Sequence, residues 1–155
     1  MKIDRINIIV PHLYKSQLGY CISKHCNTLV ENDIDCVVFT EEMRPFTITP
    51  KFAVMNISEV YDQPGLTIAT TPSTAEKLQH CWGPNKKIFY SWDLYWLRGQ
   101  RKIYKPILDL YHVNMDIVAR SESHKTAIEN CFNIKVRAVV DDFDVLKMKD
   151  IYDEE

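Results

Sequence analysis

LTIATTPSTAEKLQHC, residues 66–81, is the stretch that decides the fold. Residues 66–70 are an apolar, β-branched run of strand length. Thr71 then stands where a helix N-cap belongs, and Pro72 takes the first helical position, where its missing N–H costs nothing. A strand that turns directly into a capped helix is part of a βαβ pattern, and such patterns build parallel sheets.

The same alternation continues on both sides. Toward the amino end, INIIV at 6–10 reads as a strand closed by Pro11. A helix is predicted over 16–30, with Leu18, Cys21, Ile22, Cys26 and Leu29 on one face. DCVVFT at 35–40 follows as a strand, and its apolar core shows no polar alternation, as a sheet covered by helices on both faces requires. Between 41 and 63 the pattern is weaker: Pro45 and Pro50 interrupt any helix, and 51–57 reads as a strand. Toward the carboxyl end come a strand at 87–91, a helix at 103–112 and a strand at 116–120. Ser121 then caps a helix whose Ala127, Ile128 and Cys131 face inward, and 135–140 is the last strand. The prediction is one α/β domain with a doubly wound, mostly parallel sheet over 1–144, followed by a short acidic segment, 145–155.

Composition fits that reading. A chain of 155 residues, 46% of them hydrophobic, supports one core and is too short for two ordinary domains. No apolar run approaches the roughly 20 residues that cross a bilayer, and MKIDRINIIVP does not resemble a secretory signal. No membrane association and a cytoplasmic location are expected. The five cysteines are odd in number and scattered, so they read as reduced thiols that behave as small hydrophobes. Neither Cys21–His25–Cys26 nor His80–Cys81 has paired zinc-ligand spacing, and no metal is expected. The net charge of -2 gives no global attraction to nucleic acid. Two local basic features remain, Lys86 with Lys87, and RGQRKIYK at 98–105, where aromatic and cationic residues interleave as a single-stranded nucleic-acid contact needs. Against that stands the ordinary reading of a charge run as a solvated helix face.

In sheets of this type ligands bind beyond the carboxyl ends of the strands. That rule selects four loops: 11–16, 70–74, 91–98 and 120–124. In SWDLYWLR, residues 91–98, Asp93 sits among Trp92, Tyr95 and Trp96. A partly desolvated carboxylate beside aromatic rings suits a general base with a stacking surface for a sugar or base, while an aspartate after a strand also suits a cap. Ser121 and Thr71 carry the same double reading, as helix caps or as ligands at a helix N-terminus. Arg120 and His124 flank Ser121. His12, Tyr14 and Lys15 lie in the first loop, where a dinucleotide fold would carry GxGxxG. Only Gly19 is nearby, so no nicotinamide or flavin cofactor is expected. P-loop, GxSxG and HExxH motifs are absent as well.

The order of LTIATTPSTAEKL, KKIFYSWDLYWL and MDIVARSESHKTAIENCFNIKVRAVVDDFD resembles the amino-terminal, acceptor-side domain of GT-B glycosyltransferases, a Rossmann-like domain. FYSWDLYWL is similar in type to the tyrosine, histidine, aspartate stretch of phage DNA glycosyltransferases, with Trp92 in place of the histidine. The resemblance implies Asp93 as the catalytic residue; the four strand-end loops supply His12, Tyr14, Lys15, Thr71, Trp92, Trp96, Arg98, Ser121 and His124 as the substrate-binding candidates. It implies a nucleotide sugar as donor substrate rather than a cofactor, and modified phage DNA bearing hydroxymethylcytosine as one acceptor, in which case the location is the host cytoplasm. The sequence ends soon after DDFD, where a complete enzyme of this class enters its donor-binding domain. Half of an enzyme is therefore expected, completed by a donor-domain partner protein or a homo-oligomer. The alternative is a non-catalytic binding or adaptor module with a degenerate transferase fold.

Overall fold

The computed structural model describes residues 2–44, 48–97 and 101–154. In chain order its elements are β1 (Arg5–Ile9), β2 (His12–Leu13), α1 (Gln17–Glu31), β3 (Asp35–Thr40), β4 (Glu42–Met43), β5 (Ala53–Asn56), β6 (Leu66–Ala69), α2 (Pro72–Gln79), β7 (Lys86–Ser91), α3 (Arg101–Tyr111), β8 (Asp116–Ala119), α4 (Glu122–Phe132), β9 (Ala138–Val139) and α5 (Val145–Asp153). Single 3-10 turns occur at Ile57–Glu59, Tyr95–Leu97 and Asp141–Phe143. The fold is Rossmann-like: five helices flank an all-parallel, seven-stranded sheet of order β5-β3-β1-β6-β7-β8-β9. β2 and β4 form a separate two-stranded parallel ribbon.

The strands sort their side chains alternately into two cores. Ile6, Ile8, Cys36, Val38, Ile88, Tyr90 and Val118 pack with Cys26 and Leu29 of α1 and Met148 of α5. Ile9, Val37, Phe39, Phe89, Ile117 and Ala119 pack with Leu78 of α2, Ile107 of α3 and Ile128 of α4. Each large side chain buried this way contributes about 1.5–3 kcal/mol of transfer free energy, and strands covered on both faces need the continuous apolar runs seen in β1 and β3. Asn7 is the buried exception within β1. Its amide nitrogen donates to the Pro64 carbonyl at 2.9 Å and to Thr67 Oγ1 at 3.1 Å, so its polar atoms have partners.

The predicted capping is present. Thr71 Oγ1 accepts from the Thr74 N–H at 3.2 Å while Thr74 Oγ1 accepts from the Thr71 N–H at 2.9 Å, a reciprocal capping box with Pro72 at the helix start. α4 ends at Asn133 in the left-handed region, φ 51°, which asparagine adopts more readily than most residues.

Three expectations are corrected. Cys131, expected to face inward from α4, is exposed, and Ile128 and Phe132 are the buried residues of that helix. The strand expected over 135–140 contracts to Ala138–Val139 at the sheet edge. The segment from 145 onward does not stand apart from the domain. It contains α5, whose Val145, Met148 and Tyr152 are 0%, 0% and 1% exposed and belong to the first core. Its acidic composition hid an apolar face spaced three and four residues apart. Pro45 and Arg98 lie outside the described residues, as does part of the basic stretch 98–105.

Candidate functional site at the carboxyl edge of the sheet

Connections run from β1 toward β3 and β5 on one side, and from β6 toward β7, β8 and β9 on the other. The reversal therefore falls between β1 and β6, and this switch point is where an open parallel sheet leaves a crevice. Register places Ile9 beside Ala69, so both strands end level. The Thr70 hydroxyl donates to the Ile9 carbonyl at 2.8 Å and ties the two exits together. A crevice of about 270 Å³ opens here, lined among others by Pro11, His12, Tyr14, Gln17, Thr71 and Trp92.

Its floor is built by a close approach. Ser16 caps α1, its Oγ accepting from the Gly19 N–H at 2.9 Å. The loop before it lies directly on the first helical turn, so a Cβ at Gly19 would sit 2.2 Å from the Tyr14 carbonyl oxygen. Only glycine leaves room for that backbone. The loop in turn presents Tyr14, 44% exposed, beside His12, with ring centroids 6.5 Å apart.

His12 belongs to the β2–β4 ribbon, and its Nδ1 faces Glu42 Oε2 at 3.8 Å. Glu42 is gripped in turn by Arg44, at 3.0 and 3.2 Å to its two oxygens. That guanidinium holds the Glu42 carboxyl below its ordinary range, with a smaller contribution from His12. The His12 imidazole thus stands at the crevice with an ionised carboxylate nearby, beyond direct hydrogen-bond reach but close enough for a charge interaction.

The opposite wall is Trp92. Arg120, at the end of β8, lies over its ring with the guanidinium carbon 3.8 Å from the centroid, within the range of a cation–π contact. Behind Trp92 the fully buried Tyr90 donates its hydroxyl to the Val140 carbonyl at 2.5 Å and accepts from the Phe143 N–H at 3.2 Å. It thereby holds a turn in which Asp142 and Phe143 both have positive φ, 50° and 55°. Two consecutive non-glycine residues in that region store strain, which tends to be retained where a site requires it. The turn faces α1, where His25 Nδ1 is 4.0 Å from Asp144 Oδ1. Burial lowers the His25 pKa, only partly opposed by Asp144, while Cys21 on the same helix is raised by burial and then by Asp142.

The structure thus gathers His12, Tyr14, Thr71 and Trp92 around one crevice, with Lys15 exposed in the adjoining loop. Ser121 and His124 lie one strand further on: Ser121 Oγ caps α4 by accepting from the His124 N–H at 3.2 Å. The His124 Nδ1 atom is buried with no hydrogen-bond partner among the described residues. Asp93 and Trp96 are not among the lining residues. Asp93 Oδ1 accepts from the Leu94 N–H at 2.8 Å, and Trp96 packs edge-on against Tyr111 and Phe132, 5.7 and 4.7 Å between centroids. Sequence reasoning missed Glu42, whose pairing with His12 spans a loop and a strand and leaves no local signal.

Among the described residues no group of three or more His, Cys, Asp or Glu is placed to hold a metal ion, and no helix is long and apolar enough to cross a membrane. No protein-family model, curated protein or solved structure matches this chain.

Proposed function

We propose that the chain is the acceptor-side domain of a glycosyltransferase, holding a hydroxyl-bearing acceptor in the crevice between the ends of β1 and β6. The observation that carries this reading is the joint placement of the His12–Glu42 pair and the Trp92 ring on one crevice at the switch point. An aromatic face suits the apolar face of a sugar or base ring. His12, through the ring nitrogen turned away from Glu42, takes the proton of the acceptor hydroxyl as its oxygen forms the new bond to the sugar carbon. The bond to the donor's phosphate oxygen breaks, and the nucleoside diphosphate leaves with that electron pair. Glu42 stabilises the imidazolium that results. On this assignment His12 replaces Asp93 as the proton acceptor, and Asp93 shapes the turn after β7.

On this reading the stabiliser of the departing diphosphate comes from a donor-binding domain that faces the crevice. The test is mass spectrometry of hydroxyl acceptors, hydroxymethylated DNA included, after incubation with a panel of nucleotide sugars, with and without co-purifying proteins. Transfer that falls by about 10²-fold or more in His12→Asn, with acceptor binding kept, is the expected result. Acceptor binding without transfer in every combination would replace it by the non-catalytic binding module.

A further inference from the structure

The side chains around the crevice limit what it can hold. Among the described residues that line it there is no Lys, Arg, Asp or Glu, and Val10, Pro11 and Leu18 are apolar. Tyr14 and Trp92 contribute aromatic rings. The lining hydroxyls of Ser16 and Thr71 are already engaged in helix caps. Ser16 Oγ accepts from the Gly19 N–H at 2.9 Å, while Thr71 Oγ1 accepts from the Thr74 N–H at 3.2 Å and lies 3.1 Å from the Ser73 hydroxyl. Gln17, the first residue of α1, also lines the crevice and is different. It is exposed, and its carboxamide forms no hydrogen bond among the described residues. A carboxamide sets donors and an acceptor side by side.

We propose that the crevice takes an uncharged, planar aromatic ring against Tyr14 and Trp92, and that Gln17 selects this ring by hydrogen-bonding to its polar edge. The choice between an aromatic ring and a sugar ring follows from the supply of partners. A pyranose carries a hydroxyl on nearly every ring carbon, each both donor and acceptor, and withdrawing such groups from water without partners is costly. Beside His12, the crevice offers the Gln17 carboxamide and the Tyr14 hydroxyl, while the rest of its lining is apolar or committed to caps. An aromatic ring needs partners only along its polar edge, and its carbon faces and rim pack well against other aromatic rings. A charged ring would meet no fixed counter-charge in the lining. The volume of about 270 Å³ lies at the small end of ligand pockets and suits a single ring. The inference rests on the crevice reading above and narrows its acceptor to a hydroxyl borne by an aromatic ring, a phenol or a base, rather than by a sugar.

The experiment is calorimetric titration of the whole chain with 1-methylcytosine, with 4-hydroxybenzyl alcohol and with methyl glucoside: a base, a phenol and a sugar ring, all uncharged. It is repeated on Gln17→Ala and Tyr14→Leu. Both residues are exposed, and circular dichroism checks that the variants fold. In wild type at least one aromatic probe binds about tenfold or more tightly than methyl glucoside, and the tighter of the two identifies the source, base or phenol. Gln17→Ala weakens that probe by about three- to tenfold, as the loss of a neutral hydrogen bond provides, and leaves methyl glucoside unchanged. Tyr14→Leu removes most of the preference. Methyl glucoside binding as tightly as both aromatic probes, no binding of either aromatic probe, or a preference that either variant leaves unchanged would each overturn the proposal. The two readings fail separately. A Gln17-dependent aromatic preference without transfer to any acceptor removes the transferase and keeps the ring site. Transfer to sugars and not to aromatic hydroxyls does the reverse.

Discussion

Tyr90→Phe tests whether one hydroxyl locks the strained turn behind the crevice. The Tyr90 side chain is 0% exposed, and burial pushes its phenol pKa up, so it remains a donor throughout the working pH range. It satisfies two backbone groups, the Val140 carbonyl at 2.5 Å and the Phe143 N–H at 3.2 Å. Removing the hydroxyl leaves both unpaired in the interior, at about 1–3 kcal/mol each. Relaxing the positive φ values of Asp142 and Phe143 would return part of that cost. However, the Phe143 ring is itself 0% exposed and stands edge-on to Tyr90 at 4.9 Å. Unlocking the turn would expose it, at about 2–3 kcal/mol, so the turn stays and the net loss is about 2–4 kcal/mol. With a urea slope of about 2 kcal/mol per molar, the unfolding midpoint falls by roughly 1–2 M. Far-UV circular dichroism across a urea series measures this directly. A loss below about 0.5 kcal/mol would refute the reasoning, because it would mean that removing the hydroxyl does not leave the Val140 carbonyl and the Phe143 N–H unpaired in the interior.

Gly19→Ala forces the 11–16 loop off α1, because its Cβ meets the Tyr14 carbonyl oxygen at 2.2 Å. The expected result is a loss of about 1–3 kcal/mol together with weakened acceptor binding in the crevice, read by urea unfolding and by acceptor binding measured against wild type. Ellman's reagent should label the exposed Cys131 rapidly in the native protein and reach Cys21, Cys26, Cys36 and Cys81 only on unfolding, since those four are buried and burial raises the pKa of Cys21, Cys26 and Cys81. His25 has a folded-state pKa below its ordinary 6.5, mainly from burial, with Asp144 and Asp142 opposing and Lys24 assisting. Its contribution to stability is therefore complete above pH 6.5 and declines as pH falls from there through the depressed folded value. Thermal melts across that range should show the decline in wild type and a flatter profile in His25→Gln.

Much of the fold is legible in the sequence because its signals are local. Thr71, Pro72 and Thr74 specify a helix start within four residues, and Ser121 does the same for α4. The run at 35–40 declares two-sided burial by lacking polar alternation, and five of its six positions are buried. What failed locally was decided elsewhere. β9 keeps only two residues, paired with β8 alone at the sheet edge. α5 reads as an acidic tail until α1 is in place to receive it. Only then do Val145, Met148 and Tyr152 share a core with Cys26 and Leu29, and the Tyr152 hydroxyl can donate to Asp116 Oδ2 at 2.5 Å.

The site divides the same way, and SWDLYWL shows why. Residue type alone places Trp92, Asp93 and Trp96 in one cluster, since all three follow β7 at its carboxyl edge. The chain instead crosses the sheet plane there. Trp92 packs with the core under α1 and α5 and so faces the crevice, whereas Leu94, Tyr95 and Trp96 pack with the core under α2, α3 and α4. The Tyr95 hydroxyl donates to the Thr70 carbonyl at 2.8 Å and fixes that crossing. Asp93 lies between the two faces, and its Oδ1 takes the Leu94 N–H. A loop that changes faces within two residues cannot present consecutive side chains to one ligand. For this reason the groups that do meet at the crevice come from separate strand ends: His12 after β1, Thr71 after β6 and Trp92 after β7. Arg120 after β8 lies over the Trp92 ring.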